Sequence, residues 1–174
     1  NLLKNVIKGK GHTFSMIDLF AGCGGLSLGF EMADFEPVMF SEVNRHASET
    51  YLLNRQGLDL VEAGDISEVS NKFVSECLAQ WRGRGIDDID VLCGGPPCQG
   101  YSGIGYRRTF DLHKSEIPSN SLYKEMVRLI SNIRPKVFLF ENVKGLLSGR
   151  WTKNGDKGEI FRDVLNEFRS IEGY

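Results

Sequence analysis

The chain has 174 residues, 41% of them hydrophobic and 25% charged, which suits one globular domain and excludes disorder, collagen and a coiled-coil rod. Its net charge of -2 gives no basic excess to advertise nucleic acid or an anionic membrane. Four cysteines are too few for a disulfide scaffold, no apolar run is long enough to span a bilayer, and the first residues carry no signal-peptide core. The expectation is therefore a cytoplasmic protein with reduced thiols. Nine of the twenty glycines fall within residues 22–29 and 94–105.

Apolar runs and helical patterns alternate along the chain, with no repeat or low-complexity linker between them. The run Phe14–Phe20 predicts a strand, followed by a glycine cluster and a helix over about Leu26–Ala33. Pro37–Phe40 predicts a second strand and Arg45–Arg55 a second helix. A weaker strand at Leu58–Val61 leads to Gly64-Asp65-Ile66, and Phe73, Val74, Cys77, Leu78 and Trp81 take helical spacing within Ser70–Arg82. Ile89–Cys93 predicts a fourth strand and runs into the second glycine cluster. Leu122, Met126, Leu129, Ile130 and Ile133 form one helical face, stopped before Pro135. The unbroken apolar run Val137–Phe140 predicts a strand buried on both faces. Gly158–Arg169 predicts a last helix. This alternation predicts an α/β fold with a mainly parallel sheet, whose ligands gather at the C-terminal strand ends.

Asp18-Leu19-Phe20-Ala21-Gly22-Cys23-Gly24-Gly25 follows the first strand and opens a helix. Glycines there allow a tight turn and a close ligand approach at the positive end of the helix. A dinucleotide fingerprint would need glycine where the chain has Ser27, which argues against nicotinamide or flavin. Glu42 lies 20 residues after Gly22, where a carboxylate can bind a ribose diol. Asp65 ends the third strand and could accept from an adenine amine. Together they suit a nucleoside with a non-phosphate tail, such as S-adenosylmethionine. Glu42 or Asp65 alone reads equally as a solvated acid at an ordinary strand-to-helix turn.

Gly94-Gly95-Pro96-Pro97-Cys98-Gln99-Gly100-Tyr101-Ser102 follows the fourth strand. Two prolines hold the approach to Cys98 extended, and glycines at 100, 103 and 105 loosen the chain beyond it. That pattern suits a nucleophile beside a flexible flap, with Arg107 and Arg108 available to phosphates. Cys23, Cys77 and Cys93 read as small buried hydrophobes, and no second Cys/His pair completes a metal site with Cys93 and Cys98. A Cys-His hydrolase dyad stays open on the residues alone but leaves the nucleoside cradle unused. Glu141-Asn142-Val143 follows the last apolar strand. An acid emerging from such a strand suits a proton donor through a raised pKa, or else simply caps the next turn.

Taken in order, DLFAGCGG (18–25), Glu42, GDI (64–66), GGPPCQGYS (94–102), Leu122 in SLYKE and ENV (141–143) resemble the successive motifs of the cytosine-5 DNA methyltransferases. The resemblance covers residues 14–174 and implies a Rossmann-like methyltransferase fold that uses S-adenosylmethionine and yields S-adenosylhomocysteine. It implies that Cys98 attacks C6 of a target cytosine in double-stranded DNA while Glu141 engages N3 and the exocyclic amine. The cofactor contacts it implies are Phe20, Ala21, Gly22, Gly24, Gly25, Leu26, Glu42, Val43, Asp65, Ile66, Pro96 and Leu122. Gln99, Tyr101, Ser102, Arg107 and Arg108 would belong to a loop that closes over a flipped-out base. Residues 1–13 would be an N-terminal extension and 14–174 a catalytic and cofactor-binding domain without its target-recognition domain. Lacking the family's later motifs, the chain is expected to be a fragment, or one part of a split enzyme whose C-terminal half acts in cis or as a second chain. A bacterial restriction-modification setting in the cytoplasm, with no membrane partner, follows as an expectation. An RNA cytosine-5 methyltransferase and a non-catalytic cofactor-binding module are the alternatives.

Overall fold

The computed structural model describes residues 13–97, 121–152 and 154–174. Five strands form one sheet in the order β3-β2-β1-β4-β5: β1 Phe14–Leu19, β2 Phe35–Ser41, β3 Val61–Glu62, β4 Val91–Gly94 and β5 Val137–Phe140. The pairs β1–β2, β1–β4 and β2–β3 are parallel. Among the described residues five α-helices accompany them: α1 Gly25–Glu31, α2 Arg45–Leu53, α3 Asn71–Gly83, α4 Tyr123–Ile133 and α5 Glu159–Arg169. The strand order reverses direction between β1 and β4, the topological switch at which open α/β sheets bind ligands.

The described residues divide into two compact units, one holding those up to Gly94 with Ile133–Leu139, the other Gly95–Asn132 and Phe140–Tyr174. In the first, Met16, Ile17, Leu19, Val38, Met39, Phe40 and Leu92 are buried at the sheet centre. Leu26, Phe30 and Phe35 pack on Met16, Val91 and Cys93. Tyr51 of α2 stacks on Phe40 with ring centroids 4.0 Å apart. The β1–β2 register slips between Met16 and Ile17, beside Pro37, which has no N–H to offer the ladder. In the second unit Leu146, Ile160, Val164, Phe168 and Ile171 are buried, and Phe140 lies 5.0 Å from the Phe168 ring.

Three expectations change. The third strand is Val61–Glu62 rather than Leu58–Val61. Phe20 leaves the first strand and takes a left-handed conformation, φ 58°. Among the described residues β5 stands at the sheet edge, and its residues alternate in burial, with Val137 and Leu139 60% and 42% exposed rather than buried on both faces. A continuous apolar run does not distinguish a central strand from an edge strand.

At the N-terminal strand ends, one carboxylate ties β1, β4 and β5. Asp90 Oδ2 accepts from the Ser15 N–H at 2.8 Å and Ser15 Oγ at 3.2 Å, while Oδ1 accepts from Lys136 Nζ at 2.8 Å. Ser15 is buried, so Asp90→Ala leaves its N–H unpaired and is expected to cost about 1–3 kcal/mol in urea unfolding. Lys136→Ala, which removes only the exposed partner, should cost clearly less; equal losses would contradict this account.

Candidate functional site

The loops after β1, β2 and β3 are joined along one edge of the first unit. The Ala21 N–H donates to Ser41 O at 2.9 Å, Ser41 Oγ donates to Gly64 O at 2.7 Å, and the Ala63 N–H donates to Phe40 O at 2.8 Å. The turn after β1 has positive φ at Phe20, Gly22 and Gly24: 58°, 55° and 90°. For phenylalanine that conformation is costly, and such strain collects at functional turns. A Cβ on Gly22 or Gly25 would meet nothing within 4 Å, so that side of the turn is open.

Glu42 leans back onto this turn. Its Oε2 accepts from the Gly22 N–H at 2.8 Å and its Oε1 from the Asn44 N–H at 2.7 Å. A carboxylate has about four acceptor positions, so both oxygens keep capacity for hydroxyl donors. The same contact places negative charge on the turn N–H of Gly22, a poor seat for a pyrophosphate. Asp65 caps the short 3-10 helix Ile66–Glu68, with Oδ1 accepting from the Ser67 N–H at 2.9 Å and Ser67 Oγ at 2.7 Å. Those bonds hold its carboxyl below the usual range. Ile66 is buried, whereas Val43 is 75% exposed. Ala21, Leu26 and Phe20 are half-buried along the same turn.

Behind the turn runs a buried polar chain that the motif spacing did not announce. Asp18 is fully buried; Ser27 Oγ donates to its Oδ2 at 2.6 Å and Cys93 Sγ to its Oδ1 at 3.6 Å. Tyr51 Oη lies 2.7 Å from Ser27 Oγ and donates to it, because the serine proton is committed to Asp18. Loss of solvent raises the Asp18 carboxyl and pushes up the Cys93 thiol and the Tyr51 phenol. Ser27 therefore has a role of its own, and its signal was an aspartate inside an apolar strand. Cys77 and Cys93 are buried as expected, but Cys23, on the open turn, is exposed.

The second unit holds the other group of candidates. A Cβ on Gly95 would stand 2.7 Å from Glu141 Oε2, so the missing side chain makes room for that carboxylate. Asn142 Nδ2 donates to Pro96 O at 3.0 Å and its Oδ1 accepts from the Val143 N–H at 2.9 Å. The ENV turn is thus fastened to the backbone two residues before Cys98. Glu141 itself is exposed, so the apolar setting expected from the strand before it is not its environment. Leu122 is half-buried just before α4, with its carbonyl accepting from the Glu125 N–H at 3.1 Å. Cys98, Gln99, Tyr101, Ser102, Arg107 and Arg108 lie outside the described residues.

The profile of the C-5 cytosine-specific DNA methylase family matches residues 14–174. The chain belongs to that family. It is 36% identical over 160 residues to the type II methyltransferase M.DdeI of Desulfomicrobium norvegicum, covering 92% of this chain and 34% of that protein. It is 35% identical to M.FnuDI of Fusobacterium nucleatum, covering 91% of this chain and 39% of that one. Among solved structures, a prophage-encoded E. coli protein assigned as a DNA modification methyltransferase matches with TM-score 0.65 and 30% identity, over 90% of this chain and 38% of that one. The chain thus spans about a third of the length of these relatives. Its sheet and flanking helices are the Rossmann-like fold of the family. Among the described residues, no helix of this C-5 methylase domain is long and apolar enough to cross a membrane.

The buried aspartate of the methylase domain makes a pH prediction. Its folded pKa is raised above the ordinary 3.8, so the folded state binds that proton more tightly than the unfolded chain does. The resulting stability is complete below the unfolded value and is lost as pH rises through the folded one. Unfolding free energies from pH 7 to 4 should therefore rise for the wild type relative to Asp18→Asn. Tyr51, Arg55, Glu31 and the Cys93 thiol are the other titratable groups acting around this network, and they are common to both proteins. A difference that does not change with pH would contradict the buried-carboxylate account.

Proposed function

We propose that residues 14–174 are the catalytic and cofactor-binding domain of a DNA (cytosine-5)-methyltransferase that uses S-adenosylmethionine. The observation that carries the reading is the seat of Glu141 against Gly95, with Asn142 bound to Pro96 O, which fastens an acid to the backbone leading into Cys98.

The cofactor fit rests on the donor set. Glu42 covers the Gly22 N–H that a pyrophosphate would use, while its oxygens stay available to ribose hydroxyls and Asp65 Oδ2 to an adenine amine. Phe20, Ala21, Gly22, Gly24, Gly25, Leu26, Val43, Ile66, Pro96 and Leu122 complete the proposed contacts. S-adenosylmethionine, when bound, supplies an electrophilic methyl group and leaves as S-adenosylhomocysteine.

The chain's own residues do the rest. The Cys98 thiolate adds to C6 of a flipped-out cytosine, forming an S–C6 bond and moving the C5=C6 electron pair to C5. Glu141 holds N3 and the exocyclic amine, which draws electrons into the ring as that bond forms. After C5 is methylated, loss of its proton restores the double bond and expels Cys98. Gln99, Tyr101, Ser102, Arg107 and Arg108 are assigned, by their place in the sequence, to the loop that would close over the flipped-out base. The partner is double-stranded DNA in a bacterial cytoplasm, and the residues that choose the sequence belong to a C-terminal half, in cis or as a second chain.

A duplex carrying 5-fluorocytosine tests the reading, because C5 then has no proton to lose and the Cys98 adduct persists. The protein, with its C-terminal half supplied, should form a denaturation-resistant complex with that duplex when S-adenosylmethionine is present. Cys98→Ser should form none, and Glu141→Gln should slow its formation by about 100-fold or more. An adduct undiminished in Cys98→Ser would overturn the proposal.

A further inference from the structure

The sequence reads Gly24 as a residue that lets a ligand approach. Its surroundings give a different reason for the glycine. A Cβ there would stand 2.6 Å from Arg55 Nη1 and 2.8 Å from Tyr51 Cδ2, so the space is taken by an arginine from the other side of the turn. The side chain of Arg55 is 5% exposed. Burying a guanidinium is expensive unless its donors are matched, and here four contacts match them. Nε donates to Glu31 Oε1 at 2.8 Å and Nη2 to Glu31 Oε2 at 2.9 Å. Nη2 also donates to Gly24 O at 3.1 Å, and Nη1 to Tyr51 O at 3.3 Å. The guanidinium carbon lies 3.9 Å over the Tyr51 ring.

We propose that Arg55, backed by Tyr51 and Ser27, is a positioning residue that holds the glycine turn in its cofactor-receiving shape. Gly24 is the N-cap of α1, with no side chain to cap the helix, and its carbonyl accepts from the Leu28 N–H at 3.0 Å. Arg55 grips that same carbonyl from α2's C-terminal flank, while Asp18 and Tyr51 grip the first turn of α1 through Ser27. Pinned at both points, the turn presents the Gly22 N–H to Glu42 before any ligand arrives. Such advance ordering removes a cost from binding. The Glu31 pair neutralises the arginine, so the clamp acts by shape and not by charge on the ligand.

This inference rests on the cofactor reading above, and its test separates the two. Titration calorimetry with S-adenosylhomocysteine should show affinity falling about tenfold or more in Arg55→Lys, which keeps the charge but loses the planar set of donors. Tyr51→Phe, which keeps both ring contacts and removes only the bond to Ser27, should weaken binding to a lesser degree. Val74→Ala, a buried change in α3, should lower stability and leave affinity unchanged. Without ligand, the Gly22 amide resonance, set by its bond to Glu42, should move in Arg55→Lys and not in Val74→Ala. If Arg55→Lys does not fold, Tyr51→Phe and Ser27→Ala carry the test by the same two readouts. Wild-type affinity and an unmoved Gly22 resonance in the folded variants overturn the clamp, as does equal weakening by Val74→Ala. Failure of the wild type to bind S-adenosylhomocysteine overturns the cofactor reading instead.

Discussion

The bond from Ser27 to Asp18 joins the first strand to the first helix inside the protein, and the open edge of the methylase domain takes its form from it. A carboxylate with no exposure is tolerable only when its lone pairs are filled, and Ser27 and Cys93 fill them from two sides. That requirement fixes how far α1 can drift from β1. The turn between them must then fit a short span, which it does with left-handed conformations at Phe20, Gly22 and Gly24. Tyr51 extends the constraint to α2, and its ring carries it on to Phe40 of β2. Polar bonds linking β1, α1 and α2 and apolar packing of α2 on β2 thus favour one arrangement.

The second unit uses a different device. No buried charge is involved; the fit is steric at Gly95 and hydrogen-bonded at Asn142. A side chain at position 95 would push aside the Glu141 carboxylate, whose Oε2 lies 2.7 Å from where its Cβ would stand. The two prolines that follow limit the backbone's escape from that contact. An amide reaching the Pro96 carbonyl holds the approach to Cys98 where two chain segments far apart in sequence meet. Among the described residues, Asp65 and Glu141 are exposed and Glu42 is half-buried, while Asp18, Ser27 and Tyr51, which hold the first unit's turn, are buried.

Much of this could be read in the sequence. The parallel alternation followed from strand and helix periods, and the motifs at the strand ends pointed to the family that the profile then matched. Three features could not be read there. Whether Val137–Phe140 lies at an edge depends on which strands flank it, which periodicity does not encode. The exposure of Cys23 depends on which way one turn residue faces. Gly24 looks like a ligand-facing glycine in a motif, yet the atoms nearest its missing side chain belong to Arg55, 31 residues away. Long-range partners of this kind leave no local pattern. The clue that was present, an acid at position 18 within an apolar run, becomes informative only once its donors are known.

The central claim is that the edge formed by the turn after β1, Glu42 and the loop at Asp65 receives the adenosine portion of S-adenosylmethionine. Hydrogen–deuterium exchange with and without S-adenosylhomocysteine tests it most directly. The account predicts slower exchange at the amides of residues 20–26, 42–44 and 65–67, with α3 and α5 unchanged. Protection confined to other segments, or none at those three with ligand bound, would contradict it.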